Sequence, residues 1–202
     1  MITQSSGLSE TAERILSLAI AWMDDNPGEL PTTRKLCELA SVTAPTLYHH
    51  FGDKEGLMLA VAERKMLSFF QGKKRQPETS DPEADLLKGW DQWIDFARKH
   101  LALIGALQQS PAISARLRMG AEAIAMGRLE RLHQLKPLHI TPQLAAQTVV
   151  AASNVVVQLM LQGMPAAQVK SVNAELQRSV LLAVYCIWIL YETVFCFSSV
   201  VQ

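Results

Sequence analysis

The sequence predicts an all-α fold. Apolar residues recur at helical spacing along most of the chain, and no stretch alternates between apolar and polar residues as a half-buried strand does. Short breaks rich in Pro, Gly and small polar residues separate the helical stretches. With 202 residues, 49% of them hydrophobic, the chain is long enough to bury a substantial core. We therefore expect an all-helical globular protein with one large domain or two small ones.

A loop divides the chain into two helical parts. Residues 72–82 have the sequence GKKRQPETSDP, in which a basic cluster, two prolines and small polar residues are typical of a linker or an exposed loop. We predict an N-terminal domain over residues 1–71, a loop over 72–82 and a C-terminal domain over 83–202. In the C-terminal domain the apolar pattern indicates helices near residues 83–100, 101–109, 112–135, 142–163 and 172–199.

The segment Pro31–Leu57 predicts a helix, a tight turn and a second short helix, preceded by a first helix near residues 9–25. Thr32 and Thr43 are of the residue type that caps the amino ends of helices. Pro45 is tolerated in a first turn, because an N–H group there has no partner within the helix. This segment is therefore expected to form a three-helix unit with a helix-turn-helix motif.

The second helix of the motif is expected to turn a short-chained, polar and aromatic face outward, nearly free of carboxylates. Such a face fits the major groove of DNA, where Thr and Ala meet base edges or a thymine methyl group and Tyr and His reach phosphates. Its residues are Ala44, Pro45, Thr46, Tyr48 and His49.

Cations occupy the amino ends of neighbouring helices. Arg34 and Lys35 fall in the first turn of one helix, and Lys54 follows Asp53, which can cap another. A helix dipole favours anions at that end by about 0.3–1 kcal/mol, so these cations oppose it. A bound phosphate would resolve the conflict, because the cation and the free N–H groups would share one anion. The alternative is that these side chains simply lie in solvent.

The run PTTRKLCELASVTAPTLYHHFGDKEGL resembles the DNA-binding domain of the tetracycline-repressor (TetR) family of transcriptional regulators. The likeness is closest in TTRKL, in T-L-Y-x-H-F and in the Lys after the following loop, and it extends more loosely over about residues 9–70. The resemblance implies that Thr33 and Arg34 support the recognition helix at the DNA. The full candidate DNA-binding set is Thr33, Arg34, Thr43, Ala44, Pro45, Thr46, Tyr48, His49, His50 and Lys54.

Within that set the resemblance implies base contacts from Ala44, Pro45 and Thr46, and phosphate contacts from Tyr48, His50 and Lys54. Two positions depart from the family pattern. Ser41 stands where the family usually has Gly in the turn, and Gly adopts a positive φ more freely, so we expect a slightly strained or a differently shaped corner. Ala44 cannot form a hydrogen bond with a base, which favours apolar or indirect readout at that position.

Members of this family carry a helical C-terminal domain that binds an effector and dimerises. The resemblance therefore implies a homodimer that binds a palindromic double-stranded DNA operator, as a repressor released by a small-molecule effector, with activation as the alternative. We expect the dimer contacts in the helices near 142–163 and 172–199. Leu144–Leu161 and Val180–Phe197 are apolar nearly all round, so they must be buried in a core, an interface or a membrane. Glu192 disfavours a membrane anchor, because a charge in lipid is costly.

Aromatic and Met side chains suit a planar or apolar effector. Three aromatic residues lie close together on one predicted helix, a Met on another can line a cavity beside them, and two polar residues interrupt an apolar helix. The candidate effector-binding residues are Trp90, Trp93, Phe96, Met126, Asn154 and Gln158. Plain core packing is the alternative for the apolar members of this set, and pairing across a dimer interface is the alternative for the two polar ones.

The sequence does not favour an enzyme. It lacks a Gly-rich phosphate loop and a G-x-S-x-G motif, and the histidines His100, His133 and His139 lack the H-x-x-x-H spacing of a metal site. We therefore expect no catalytic residue, no metal and no cofactor. A membrane-associated helical protein and a non-regulatory helical ligand carrier remain alternative functions.

The net charge and the cysteine content limit which partners and which cellular compartment fit the sequence. The formal net charge is zero, so DNA binding has to come from a few well-placed groups rather than from bulk electrostatics. Cys37, Cys186 and Cys196 form no C-x-x-C pair and suit reduced thiols in a cytoplasmic protein. The amino terminus has no basic region followed by an apolar run, so no signal peptide is expected.

Overall fold

The structure is a computed structural model that describes residues 8–26, 28–108 and 110–185. In these ranges the chain forms α-helices and no strand, which confirms the predicted all-α class. The helices are α1 (Glu10–Asp25), α2 (Thr33–Ala40), α3 (Ala44–Phe51), α4 (Lys54–Lys74), α5 (Pro82–Lys99), α6 (Leu101–Leu107), α7 (Pro111–Leu135), α8 (Pro142–Leu161) and α9 (Ala166–Tyr185).

Side-chain caps fix where several helices begin. A Ser or Thr hydroxyl accepts a hydrogen bond from the backbone N–H three residues further on, and so satisfies a donor that the helix leaves unpaired. The capping residues are Ser9, Thr32, Thr43 and Thr141. At the start of α4, Oδ1 of Asp53 accepts from the N–H of Gly56 at 2.6 Å. The predicted caps Thr32, Thr43 and Asp53 are confirmed.

The described residues form two compact units, and α4, α5 and α7 contribute residues to both. The first unit contains the described residues up to Gln71 together with Lys99–Leu117, and the second contains Gly72–Arg98 and the described residues from Arg118 onward. In the first unit α1 packs against α2 and α3, which also pack against each other. Its core is formed by fully buried apolar side chains that include Ile15, Leu16, Leu36, Leu47 and Leu57.

The turn between α2 and α3 depends on a left-handed residue. Ser41 has φ 51° and ψ 46°, and within the described ranges no other non-glycine residue has a positive φ. The N–H of the next residue, Val42, donates to the carbonyl of Cys37 at 3.1 Å, which closes the end of α2. The corner has the strained conformation that the absence of a glycine predicts.

Ser41→Gly is expected to raise the free energy of unfolding by about 0.5–1 kcal/mol, because glycine has no Cβ to clash at a positive φ. The matched control is Ser68→Gly, at an exposed position inside α4, which should lower it by about 0.5 kcal/mol through helix propensity. Urea unfolding of both variants measures the difference. A loss of stability in Ser41→Gly would show that the corner is not strained.

The second unit has a core made by four helices. The indole Nε1 of Trp90 in α5 donates to Oδ1 of Asn173 in α9 at 2.7 Å, which orients that aromatic side chain within the core. α8 packs against α9. Buried residues from α5, α7, α8 and α9 form one cluster that includes Leu86, Trp90, Ala125, Leu129, Ala146, Val149, Val156, Val180 and Val184.

The loop that precedes α5 is fixed to the second unit by one carboxylate. Asp85 accepts hydrogen bonds from the backbone N–H of Thr79 at 2.9 Å and from its hydroxyl at 3.0 Å, and it pairs with Arg131 at 3.4 Å. Hydrogen bonds from Thr79 and the charge of Arg131 hold the pKa of Asp85 below its usual range. These contacts therefore hold the loop before α5 against α5 and α7.

The start of the last helix differs from the prediction. Residue 172 was expected as the first, whereas α9 begins at Ala166. Gly163, with φ 79°, and Pro165 separate α8 from α9, and the first turn of α9 is largely exposed, so no apolar stripe marks its beginning. The predicted helix beyond Tyr185, with Glu192 and the cysteines Cys186 and Cys196, lies outside the described residues.

Of the described helices, only α8 is long and apolar enough to cross a membrane. That is weak evidence for a membrane span, because the core helix of a soluble protein meets the same criteria. Ala145, Ala146, Val149 and Val156 of α8 are buried in the core of the second unit, which supports the interpretation as a core helix.

Candidate nucleic-acid interface

The helix α3 separates its residues into a buried side and an outward side. Leu47 is fully buried and is the one buried residue among the eight of α3. Pro45, Tyr48 and His49 are exposed, Tyr48 to 40%, and Thr46 is half-buried. The side chains predicted to face outward are therefore accessible from solvent.

Two pairs of hydroxyl groups hold polar side chains of this face in place. The Oγ1 atoms of Thr43 and Thr46 are 3.0 Å apart, so the residue that caps α3 also positions the hydroxyl of Thr46. The hydroxyl of Tyr48 lies 3.4 Å from Oγ1 of Thr33, which links α3 to the first residue of α2. A fixed orientation reduces the entropy that a side chain loses when it binds a partner.

The amino ends of α2 and α3 are suited to an anion. Neither helix has an acidic residue in its first turn, so no side chain there neutralises the positive end of the helix dipole. Arg34 in α2 is 90% exposed and pairs with Glu38 at 2.9 Å, and exposed pairs of this kind contribute little to stability. Lys54 is the first residue of α4 and is half-buried.

The two histidines of α3 have different surroundings. Nδ1 of His50 lies 3.4 Å from Oγ of Ser9, the cap of α1, whereas His49 is exposed. Their rings meet edge to face with centroids 5.3 Å apart. Both lie in the last turn of α3, where a helix dipole favours a positive charge.

Two ion pairs link α4 to α1 in the first unit. Arg64 of α4 donates to Glu13 of α1 at 2.8 Å, and this hydrogen bond holds the pKa of Glu13 below its usual range. Lys65 is buried and pairs with Asp24. Sequence reasoning missed both pairs, because a pattern within one helix does not reveal its partners 41 and 51 residues away.

The candidate effector residues lie on three helices of the second unit, α5, α7 and α8. Trp90 belongs to the core cluster of that unit, and Met126 is half-buried and packs against the cluster. The rings of Trp93 and Phe96 stack on each other with centroids 6.1 Å apart and are half-buried. On α8, Asn154 is half-buried and Gln158 is exposed. The assignment of these six residues to an effector site stays a prediction.

Comparison with known proteins identifies the N-terminal segment. Residues 15–61 match the family model described as bacterial regulatory proteins, tetR family. This stretch covers most of α1, all of α2 and α3, and the first part of α4. A search of curated proteins finds no match.

Solved structures match over most of the chain. The transcriptional regulator FadR from Bacillus subtilis, in complex with stearoyl-CoA, is 17% identical, and the alignment covers 86% of this chain and 99% of that one with a TM-score of 0.62. A TetR transcription regulator from Haloarcula marismortui is 14% identical, with 84% and 96% covered and a TM-score of 0.63. A TetR-family transcriptional regulator from Pectobacterium atrosepticum is 18% identical, with 89% and 95% covered and a TM-score of 0.60.

At these identities the solved structures show the fold alone, and the family model matches residues 15–61. Regulators of this family are DNA-binding proteins rather than enzymes. Residues 15–61 therefore resemble the helix-turn-helix segment of the tetR family, and the chain shares the fold of solved TetR-family transcriptional regulators.

Proposed function

We propose that the protein is a homodimeric repressor that binds a palindromic DNA operator through α3 and releases it when a small molecule binds the second unit. The observation that supports DNA binding is that α3 has one buried side and one exposed side. Leu47 anchors one side in the core, and the other side offers small, polar and aromatic groups without a carboxylate. Such a helix fits a major groove without charge repulsion.

In the proposed complex Ala44, Pro45 and Thr46 meet base edges, while Tyr48 and Lys54 bind phosphates. Two copies of α3 related by a two-fold axis would occupy successive major grooves about 34–36 Å apart, or a multiple of that distance. Because the net charge is zero, each copy contributes little non-specific attraction, and the affinity depends on both copies binding together.

The other candidate DNA-binding residues are proposed to support these contacts. Thr33 and Arg34 at the start of α2 position α3 at the DNA, and Thr43 orients Thr46. His49 and His50 are proposed to contact the DNA backbone from the last turn of α3. A regulator that acts on bacterial DNA works in the cytoplasm, and we propose that location.

The dimer is proposed to form through α8 and α9, as regulators of this family dimerise. Leu144 and Val155 of α8 are 49% and 47% exposed, and Ala151 lies between them on the same side of the helix. Leu182 of α9 is 46% exposed. Large apolar side chains in exposed rows favour burial against a second subunit.

The effector is proposed to be a small molecule with an apolar or aromatic part. The structure of FadR with stearoyl-CoA supports the idea that this fold accommodates a ligand with an apolar chain. Trp90, Trp93, Phe96, Met126, Asn154 and Gln158 are the proposed contacts. The ligand weakens DNA binding only insofar as it prefers a state in which the two copies of α3 are wrongly spaced.

Selection of bound fragments from a random DNA library tests the DNA-binding half. The wild type should select a palindrome, at which one wrong base pair costs about 1–3 kcal/mol. Thr46→Ala should reduce that cost at one position of each half-site, because the side chain that reads the base is lost. Lys54→Ala should instead weaken binding to every sequence and flatten the dependence of log K on log salt by about one.

The two variants are controls for each other, since a base reader and a phosphate contact change different quantities. An unchanged preference in Thr46→Ala would remove that residue from the base readers. If the wild type selected no sequence at all, the proposed function would be wrong. Screening small molecules for release of the selected operator then tests the repressor half, and a molecule required for binding would indicate an activator.

A further inference from the structure

Two cationic side chains converge on one backbone position of α5 within the second unit. Nζ of Lys73, near the end of α4, donates to the carbonyl oxygen of Gly89. A Cβ atom built on Gly89 would collide with Nη1 of Arg128 in α7 and would lie 3.6 Å from Nζ of Lys73. Both cationic groups therefore lie against the same glycine, and the missing side chain leaves the space that the guanidinium occupies.

Lys73 and Arg128 bring two positive charges close to each other. Burial and the charge of Arg128 lower the pKa of Lys73 to about 8, and burial lowers the pKa of Arg128 although Asp85 and Glu78 oppose the change. Those two carboxylates pair with Arg131, at 3.4 and 3.3 Å. Within the ranges that the structure describes, the guanidinium of Arg128 has neither a hydrogen bond nor an ion pair. The N–H groups of this half-buried guanidinium are therefore available for a bidentate hydrogen bond to an oxyanion.

An amide one helical turn after Gly89 on α5 has unused hydrogen-bonding capacity. Gln92 lies one turn after Gly89 on α5, and its Nε2 donates to Oε1 of Gln76 at 3.3 Å. Its own Oε1 is buried, and no described residue supplies a hydrogen-bond partner for it. Since the two ends of an amide exchange by a flip, the unused end can accept from a hydroxyl or donate to an oxyanion. A buried polar atom without a partner is uncommon in a folded protein and needs a reason.

We infer that Lys73, Arg128 and Gln92 form a binding site for the carboxylate or phosphate group of a small acidic ligand. Trp90 follows Gly89 directly and belongs to the apolar core cluster. Met126 lies two residues before Arg128 and packs against that cluster. An acid with an apolar body matches such a neighbourhood. That this ligand is the effector rests on the ligand release proposed above. That an anion binds here rests only on the positions of Lys73, Arg128 and Gln92.

Sulfate is a suitable probe, because its charge does not change between pH 6 and pH 9. The full-length protein carrying labelled glycine would be titrated with sodium sulfate at constant ionic strength, and the amide resonance of Gly89 followed by NMR. The Gly89 signal should shift and saturate in the millimolar range. Gly127, exposed on the same helix as Arg128, supplies a resonance that should not move.

Variants separate the site from general attraction of anions. Lys73→Met should weaken sulfate binding about tenfold or more, because it removes a charge-assisted hydrogen bond. Lys74→Met removes the same charge from the exposed neighbouring position and should leave binding unchanged. Gly89→Ala keeps every charge but displaces the guanidinium of Arg128, and calorimetry should find sulfate binding weakened as in Lys73→Met.

The pH profile gives a readout that a purely structural role would not change. The charged groups around Lys73 are Arg128, Arg131, Asp85 and Glu78, and burial together with the charge of Arg128 places the pKa of Lys73 at about 8. Wild-type sulfate affinity should therefore fall as the pH rises through about 8. Lys73→Arg should bind sulfate without that fall.

The sulfate titration and the operator-release screen test the anion site and its role as the effector site separately. A Gly89 shift that fails to saturate, or that persists equally in Lys73→Met and Lys74→Met, overturns the site. If small molecules release the operator while sulfate does not bind, the anion site is wrong and the proposed regulation stands. If sulfate binds as described while no molecule in a panel of acids releases the operator, the site is supported and its role as the effector site is overturned.

Discussion

Val155→Glu is expected to convert the protein into a monomer and to weaken operator binding by a factor of about 10² to 10⁴, the contribution of linking two binding modules. Val155 lies in the exposed apolar row of α8 that also contains Leu144 and Ala151. In a two-fold interface built on that row, a glutamate from each subunit would be buried without a partner, and burial of an unpaired charge is costly. The isolated subunit should remain folded, since this side chain points away from its own core.

Sedimentation velocity measures the oligomeric state of this variant, and fluorescence anisotropy with a labelled operator measures its affinity. Met119→Glu is the matched control, because it introduces the same charge at an apolar side chain that is 66% exposed on α7. The control should stay a dimer and bind the operator as the wild type does. A dimeric Val155→Glu variant with wild-type affinity would place the interface elsewhere on the chain.

The features that the sequence predicted well are those with a local cause. Thr32 and Thr43 cap helices through hydrogen bonds from residues three positions away, and Pro45 lies in the first turn of α3. Such signals are complete within a few residues, so they can be recognised without the rest of the fold. The outward face of α3 followed from the same short stretch.

The features that escaped prediction depend on distant partners. Trp90 and Asn173 meet across 83 positions of the chain, and the convergence of Lys73 and Arg128 on Gly89 requires three separate helices. No periodicity within one helix encodes such a meeting. The sequence did not predict the first turn of α9, because this turn is exposed and no apolar stripe marks it. Helix propensity rather than burial favours the helix there.

Leu47→Ala is expected to lower the free energy of unfolding of the first unit by about 2–5 kcal/mol and to abolish measurable operator binding. The helix α3 has eight residues, and an isolated helix of that length is not stable in water. Leu47 is its one buried residue, fully enclosed among side chains of the first unit. Removing three carbon atoms from this position leaves a cavity and frees the helix that carries the proposed base readers.

The control for this variant is Leu47→Met, which conserves volume and should cost less than about 1.5 kcal/mol. Urea unfolding followed by circular dichroism measures the change in stability, and anisotropy measures operator binding. Thr46→Ala, one residue away on the outward side, should alter the base preference and leave the unfolding free energy nearly unchanged. If Leu47→Ala kept both its stability and its affinity, α3 would not depend on the core, and the division of this helix into an anchoring side and a DNA-binding side would be wrong.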